Sequence, residues 1–156
     1  MHISRLRLRK KVREIIPGKL WLGNMADARD VESIMETGIL AVIDLAAEQP
    51  MSTLPRSLVY CRFPILDGQQ TSQAVLRAAI ETVVSLSHKE VPMLVYCSAG
   101  MSRSPAVVAG AMAVLQGGSP DDRLRQIAVG HPHDVSPQLW QDVRDVCAEM
   151  VRRKQS

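Results

Sequence analysis

The 156-residue sequence is short of several features, and each shortage excludes a class of protein. It holds five aromatic residues, two Trp, two Tyr and one Phe. That is too few for the stacking platforms that nucleic-acid binders interleave with basic residues. Its three cysteines, Cys61, Cys97 and Cys147, are odd in number and widely spaced, which argues against a disulfide framework and for a reducing compartment, the cytoplasm. The longest apolar stretches, Ile39 to Ile43 and Ala106 to Leu115, fall well short of the roughly 20 residues that span a membrane. No long apolar segment follows the basic N-terminus, so a secretory signal is not expected. A folded face of one charge is also missing. The net charge is +3, but nine of the 19 Lys and Arg lie near the ends, at Arg5, Arg7, Arg9, Lys10, Lys11, Arg13, Arg152, Arg153 and Lys154. Residues 14–151 hold the other ten against all 16 acidic residues, a net of −6. A nucleic-acid partner is therefore not expected.

What is present fits one folded domain. Apolar residues make up 46% and charged residues 22%, ordinary for a globular chain, and no repeat or linker divides it. We read residues 1–14 as a basic arm, with Arg and Leu alternating over Arg5 to Arg9, and residues 15–153 as the domain. After the turn signal Ile16-Pro17-Gly18, strands are expected at Lys19 to Gly23, Ile39 to Leu45, Val59 to Pro64 and Met93 to Tyr96. Helices are expected over Asp27 to Thr37, from Ser72 to about His88, from Ser104-Pro105 to about Gln116, from Ser119-Pro120 to about Val129, and from Ser136 to about Arg153. Strands alternating with helices imply an α/β fold, a mainly parallel sheet of four or five strands covered on both faces.

The segment Val95-Tyr96-Cys97-Ser98-Ala99-Gly100-Met101-Ser102-Arg103-Ser104-Pro105 carries the chemistry. It sets a cysteine at the carboxyl end of a buried strand, where open α/β sheets bind ligands, and an arginine at the mouth of the next helix. A loop of this length can close into a ring whose backbone N–H groups, on Ser98, Ala99, Gly100, Met101, Ser102 and Arg103, face a common centre. With a helix N-terminus beneath, such a ring binds anions. Gly100 is free to take positive φ, and Arg103 offers a planar fork matching two oxygens of a phosphoryl group. Thiols at helix N-termini beside arginine ionise more readily than free cysteine, and the thiolate is the nucleophile. Cys97 would attack phosphorus and Ser104 would donate its hydroxyl to the departing sulfur. Asp67, in Leu66-Asp67-Gly68 after a strand, fits the general acid that protonates the leaving oxygen and later activates water.

These residues resemble the cysteine-dependent protein tyrosine phosphatases, most closely their small dual-specificity branch. The resemblance rests on Cys97-x5-Arg103-Ser104 with Ala99-Gly100 and Ser102 between. It extends to Ile15 through Asn24 as the opening strand, Ile43-Asp44-Leu45-Ala46 as the second strand, Asp67 at the acid position, and His131-Pro132 through Leu139 as the closing segment. It implies a phosphocysteine mechanism without metal or other cofactor, phosphorylated proteins as substrates, and phosphate, sulfate or vanadate as occupants of the loop. Two positions depart from the family: Tyr96 stands where His usually precedes the nucleophile, and His131 where Arg usually precedes the closing Pro. The short body implies a shallow pocket that admits phosphoserine and phosphothreonine as well as phosphotyrosine. Ala99 and Met101 stand where relatives acting on inositol lipids carry lysines.

Plainer roles compete for the same residues. Cys97 would otherwise be an inert buried thiol, Arg103 a surface ion pair, and Ser104 a helix N-cap. Asp44 and Asp134 are rivals to Asp67, one structural and the other a water-orienting group or a cap. Cys61 and Cys147 read as core thiols, with a Cys61–Cys97 disulfide the rarer alternative. His131 and His133 lack companions for a metal site. The alternative to an enzyme is a module that binds phosphorylated partners without turnover, or a phosphatase of phosphoinositides or RNA 5′ ends.

Overall fold

The computed structural model describes residues 12–156, so the alternating Arg5 to Arg9 pattern lies outside the described residues. Strand β1 (Arg13–Ile16) turns back on β2 (Leu20–Gly23) in antiparallel pairing, through a turn in which Lys19 N–H donates to the Ile16 carbonyl at 3.0 Å. The remaining strands, β3 (Ala41–Ala46), β4 (Val59–Ile65) and β5 (Met93–Tyr96), are parallel to β2 and to one another. The sheet order is β1-β2-β5-β3-β4, the five-stranded, mostly parallel arrangement expected from the alternating pattern. β3 and β5 are buried along their whole length, which is why they read as continuous apolar runs.

Helices α1 (Met25–Arg29) and α2 (Val31–Thr37) cover one face over Trp21, Ile34, Val42 and Leu94. Helices α3 (Gln73–His88), α4 (Arg103–Gln116), α5 (Pro120–Ala128) and α6 (Pro137–Lys154) build the other, around Ile43, Ile80, Val107 and Val143. Every residue of α4 from Arg103 to Val114 is buried. A Cβ on Gly110 would lie 2.9 Å from Val143 Cγ1 and 3.1 Å from Cys147 Sγ, so glycine lets α6 pack directly on α4.

Some elements differ from the sequence reading. The helix expected over Asp27 to Thr37 is two helices, broken at Asp30 (φ −83°, ψ 72°). The Asp30 carboxylate accepts from Ser33 N–H at 3.1 Å and from Ser33 Oγ at 2.6 Å; the side chain caps the second helix instead of continuing the first. Ser72 precedes α3, but its side chain makes no capping bond. The sheet begins at Arg13, within the stretch read as the arm, because Arg13 and Glu14 pair with Leu22 and Trp21.

Cys147 is core, 3% exposed, with Sγ 3.5 Å from the Gly110 carbonyl, and burial pushes its thiol up to about 12. Cys61 pairs with Ile43 and Ile43 with Val95. Cys61 and Cys97 therefore sit two strands apart, about 10 Å sideways, beyond the reach of a disulfide.

Candidate active site

β5 lies between β2 and β3, so Cys97 emerges at the centre of the sheet's carboxyl edge, directly under α4. The residues from Ser98 to Ser102 form the connecting loop. Met25 N–H donates to the Ser98 carbonyl at 3.1 Å, and Asp134 N–H donates to the Met101 carbonyl at 2.9 Å, which holds the loop from opposite sides. Among the described residues no backbone N–H between Ser98 and Arg103 donates to another backbone group outside the regular elements. Backbone donors left without a protein partner at a helix N-terminus are what an anion site requires. Gly100 sits at φ +72°, and a Cβ there would come within 3.0 Å of the Gly23 carbonyl oxygen; both the conformation and the close approach to β2 require glycine.

Cys97 is 1% exposed and its Sγ lies 3.2 Å from Ser104 Oγ. Ser104 Oγ also lies 3.4 Å from the Gly23 carbonyl. Ser104 is not the helix cap: α4 starts at Arg103 and its N-cap is Ser102, which frees the Ser104 hydroxyl for the sulfur. Ser102 Oγ donates instead to Asp67 Oδ1 at 3.2 Å, which ties the Leu66-Asp67-Gly68 loop to the cradle. The sequence-derived set of Cys97, Arg103, Ser104 and Asp67 is thus brought together. Of the rivals, Asp134 borders the cradle through its backbone bond to Met101. Asp44 is fully buried, accepting from Ala46 N–H at 2.9 Å and from the Tyr60 hydroxyl. Asp134 contributes its backbone, and the last helix is capped by Ser136.

Arg103 differs from expectation in one respect. Its fork is not open: Nη1 and Nη2 each donate to the Glu48 carboxylate at 2.6 Å. Nη1 also reaches the carbonyls of Ile65 at 2.9 Å and Leu45 at 3.2 Å. The reason is electrostatic, since a guanidinium only 2% exposed needs a paired charge. Burial opposes the charge on Arg103, but the Glu48 hydrogen bond, with Cys97 and Asp67 nearby, carries its pKa above the ordinary value. The Arg103 hydrogen bond in turn holds the Glu48 carboxyl down at about 2, although partial desolvation works the other way. Glu48 also accepts from Ser98 Oγ. The one buried donor of Arg103 without a protein partner is Nε, an orphan that a tetrahedral oxyanion in the cradle would satisfy. Glu48 is the site residue the sequence reading passed over. It lies 55 residues from Arg103 in a polar loop, and its sole signal was a carboxylate just past a strand end.

Tyr96, which precedes Cys97, points to the opposite face of the sheet. Its hydroxyl lies 2.5 Å from Ser52 Oγ, and Ser52 N–H donates to the Tyr60 hydroxyl at 3.4 Å. Burial raises the pKa of both tyrosines above the ordinary value. Together with Asp44 they form a polar network that fastens the segment between β3 and β4, the segment carrying Glu48, to the strand before the nucleophile position.

Comparison with known proteins agrees with this fold. The profile of the family described as dual specificity phosphatase, catalytic domain, matches residues 20–113. Dual specificity protein phosphatase Mpk3 of Drosophila melanogaster is 30% identical over 126 residues, covering 80% of this chain and 30% of that protein. Dual specificity protein phosphatase 15 of Homo sapiens is 28% identical over 122 residues, covering 76% of this chain and 39% of that protein. The chain thus spans about a third of the length of the curated relatives it matches. The crystal structure of DUSP15 superposes with a TM-score of 0.79 at 24% identity, over 92% of this chain and 93% of that one, a likeness of fold. The matched stretch runs from β2 through most of α4, taking in the cradle, Asp67 and Glu48, and on that ground the chain belongs to the dual specificity phosphatase catalytic-domain family.

Proposed function

We propose that the chain is a cysteine-dependent phosphatase that hydrolyses phosphotyrosine and phosphoserine or phosphothreonine monoesters of proteins. The observation that carries this reading is the run of backbone N–H groups from Ser98 to Arg103 left without a backbone partner outside the regular elements, next to Cys97 and the orphaned Nε of buried Arg103. In the first step the Cys97 thiolate attacks phosphorus. The S–P bond forms, the ester P–O bond breaks, and the leaving oxygen takes the proton of Asp67. In the second step Asp67, now a carboxylate, takes a proton from water, whose oxygen attacks phosphorus. The S–P bond breaks as Ser104, 3.2 Å away, donates to the departing sulfur, and inorganic phosphate leaves. Backbone donors and Arg103 stabilise the charge on the equatorial oxygens. Glu48 keeps the guanidinium oriented; the chemistry itself needs no metal from these residues.

The exposed Met101 and Leu66 beside the cradle favour a shallow, open mouth, which suits short phosphoserine as well as long phosphotyrosine. The test is hydrolysis of a generic aryl phosphate. Cys97→Ser abolishes turnover, and Asp67→Asn lowers kcat by about 10²–10³-fold while changing KM little, the loss typical of a general acid. Phosphopeptide binding without turnover in the unmutated protein would support a recognition module instead.

A further inference from the structure

A second cleft opens beside the cradle, between α1 and the segment that follows β3. It encloses about 220 Å³ and is lined by Met25, Ala28 and Arg29 on one side and by Pro50, Met51 and Ser52 on the other. Both walls are built. An Asn24–Asp27 capping box fixes the start of α1, with Asn24 N–H on Asp27 Oδ2 at 2.8 Å and Asp27 N–H on Asn24 Oδ1 at 3.0 Å, and Met25 bonds the cradle itself. The facing wall is held at its base by Arg62, whose Nη2 donates to the carbonyls of Ala47 at 3.0 Å and Gln49 at 2.7 Å. It is held at Ser52 by the Tyr96 hydroxyl. A cleft with walls fixed in advance binds without an ordering cost.

Its chemistry is mixed. Met25, Pro50 and Met51 are apolar, and Met51 is 66% exposed, an adaptable surface with no covering group. Arg29 is exposed and has no hydrogen-bonding or ion-pair partner among the described residues. The acid next to it, Asp30, is turned onto Ser33. Apolar walls with one uncommitted guanidinium match a side chain with an aliphatic stem and an anionic tip.

Resting on the phosphatase reading, we propose that this cleft is a specificity subsite for an acidic residue of the substrate close to the phosphorylated one. Met25 touches the cradle, and Arg29 lies four residues on, about 6 Å along the helix axis. An extended peptide advances about 3.3 Å per residue. Adding the reach of an arginine, the acidic residue stands two to four positions from the phosphorylated residue.

The experiment is a set of phosphopeptides with a single Glu, its Gln or Lys counterpart or a second phosphoserine, moved through four positions on either side. Both kcat/KM with the unmutated protein and Kd with Cys97→Ser are measured, alongside turnover of a generic aryl phosphate. At one position two to four residues away, Glu or phosphoserine improves kcat/KM and Kd about fivefold over Gln, the scale of one partly desolvated ion pair. Arg29→Ala removes that ratio and Arg29→Glu inverts it toward a Lys peptide. No acidic preference at any position, or one that survives Arg29→Ala, overturns the subsite. Failure of the aryl phosphate to turn over counts against the catalytic reading alone, because the Kd ranking still tests the cleft.

Discussion

Gly100→Ala tests whether the cradle has the shape on which the chemistry depends. Two separate costs are written into that position. At φ +72° an L side chain sits in the left-handed region, which costs roughly 1–2 kcal/mol. The added Cβ also meets the Gly23 carbonyl oxygen at 3.0 Å, the Gly23 carbonyl carbon at 3.2 Å and Asn24 Cβ at 3.4 Å. None of these can yield cheaply: Gly23 is paired with Tyr96 in the sheet and Asn24 caps α1. Moving the loop away by a few tenths of an ångström adds about 1–2 kcal/mol, the usual scale of overpacking. Gly18→Ala is the control, because Gly18 has φ +70° and open space around a would-be Cβ, so it carries the first cost without the second. Denaturant titration should separate the two variants by about 1–2 kcal/mol, or about 2–8 °C in Tm for a chain of this size. Turnover separates them further: displaced N–H groups cost Gly100→Ala at least about tenfold in kcat/KM, while Gly18→Ala keeps its activity. Equal stability losses with activity retained in both would refute the close approach of Gly100 to β2.

Two further tests concern charge and thiol state. Glu48 titrates near 2 when folded, below its ordinary 4.5, so its stabilisation is fully present above about pH 4.5 and is lost as pH falls through 2. Because the carboxylate is 47% exposed, that contribution is discounted to about 1 kcal/mol; Glu48→Gln should flatten the acid limb of a stability–pH curve by that amount, and an unchanged limb would remove the ion pair from the account. In alkylation with iodoacetamide at pH 7, Cys147, whose thiol is pushed up to about 12 by burial, should stay unmodified while Cys97 reacts and vanadate protects it. Mass spectrometry that finds Cys147 modified first would contradict the packing of α6 on α4.

How far the site could be read in advance depended on sequence distance. Cys97, Gly100, Arg103 and Ser104 lie in one strand–loop–helix unit, so their mutual geometry follows from a short stretch of backbone. Asp67 could be picked out because a carboxylate after a strand end matched the role of an acid, and the structure places it against the cradle through Ser102. Glu48 was not, because nothing near it in sequence hints that Arg103 is buried and in want of a counter-charge. Ser104 was ambiguous between cap and sulfur partner, since the start of α4 one residue earlier is a matter of where the loop closes. The break at Asp30 was missed for a similar reason: apolar spacing runs through it, while the Asp30 carboxylate turns onto Ser33 to cap α2.

The sequence alone determined the alternation of strands and helices, the buried character of β3, β5 and α4, and the loop that ends in Arg103, because these depend on apolar periodicity and on residues adjacent along the chain. Tertiary structure decided the strand order that sets β5 between β2 and β3, the closing of Arg103 by Glu48, the turning of Tyr96 to the far face onto Ser52, and the cleft between α1 and the segment after β3. Each of these is a contact between groups distant in sequence, whose energy arises only when folding removes water from between them.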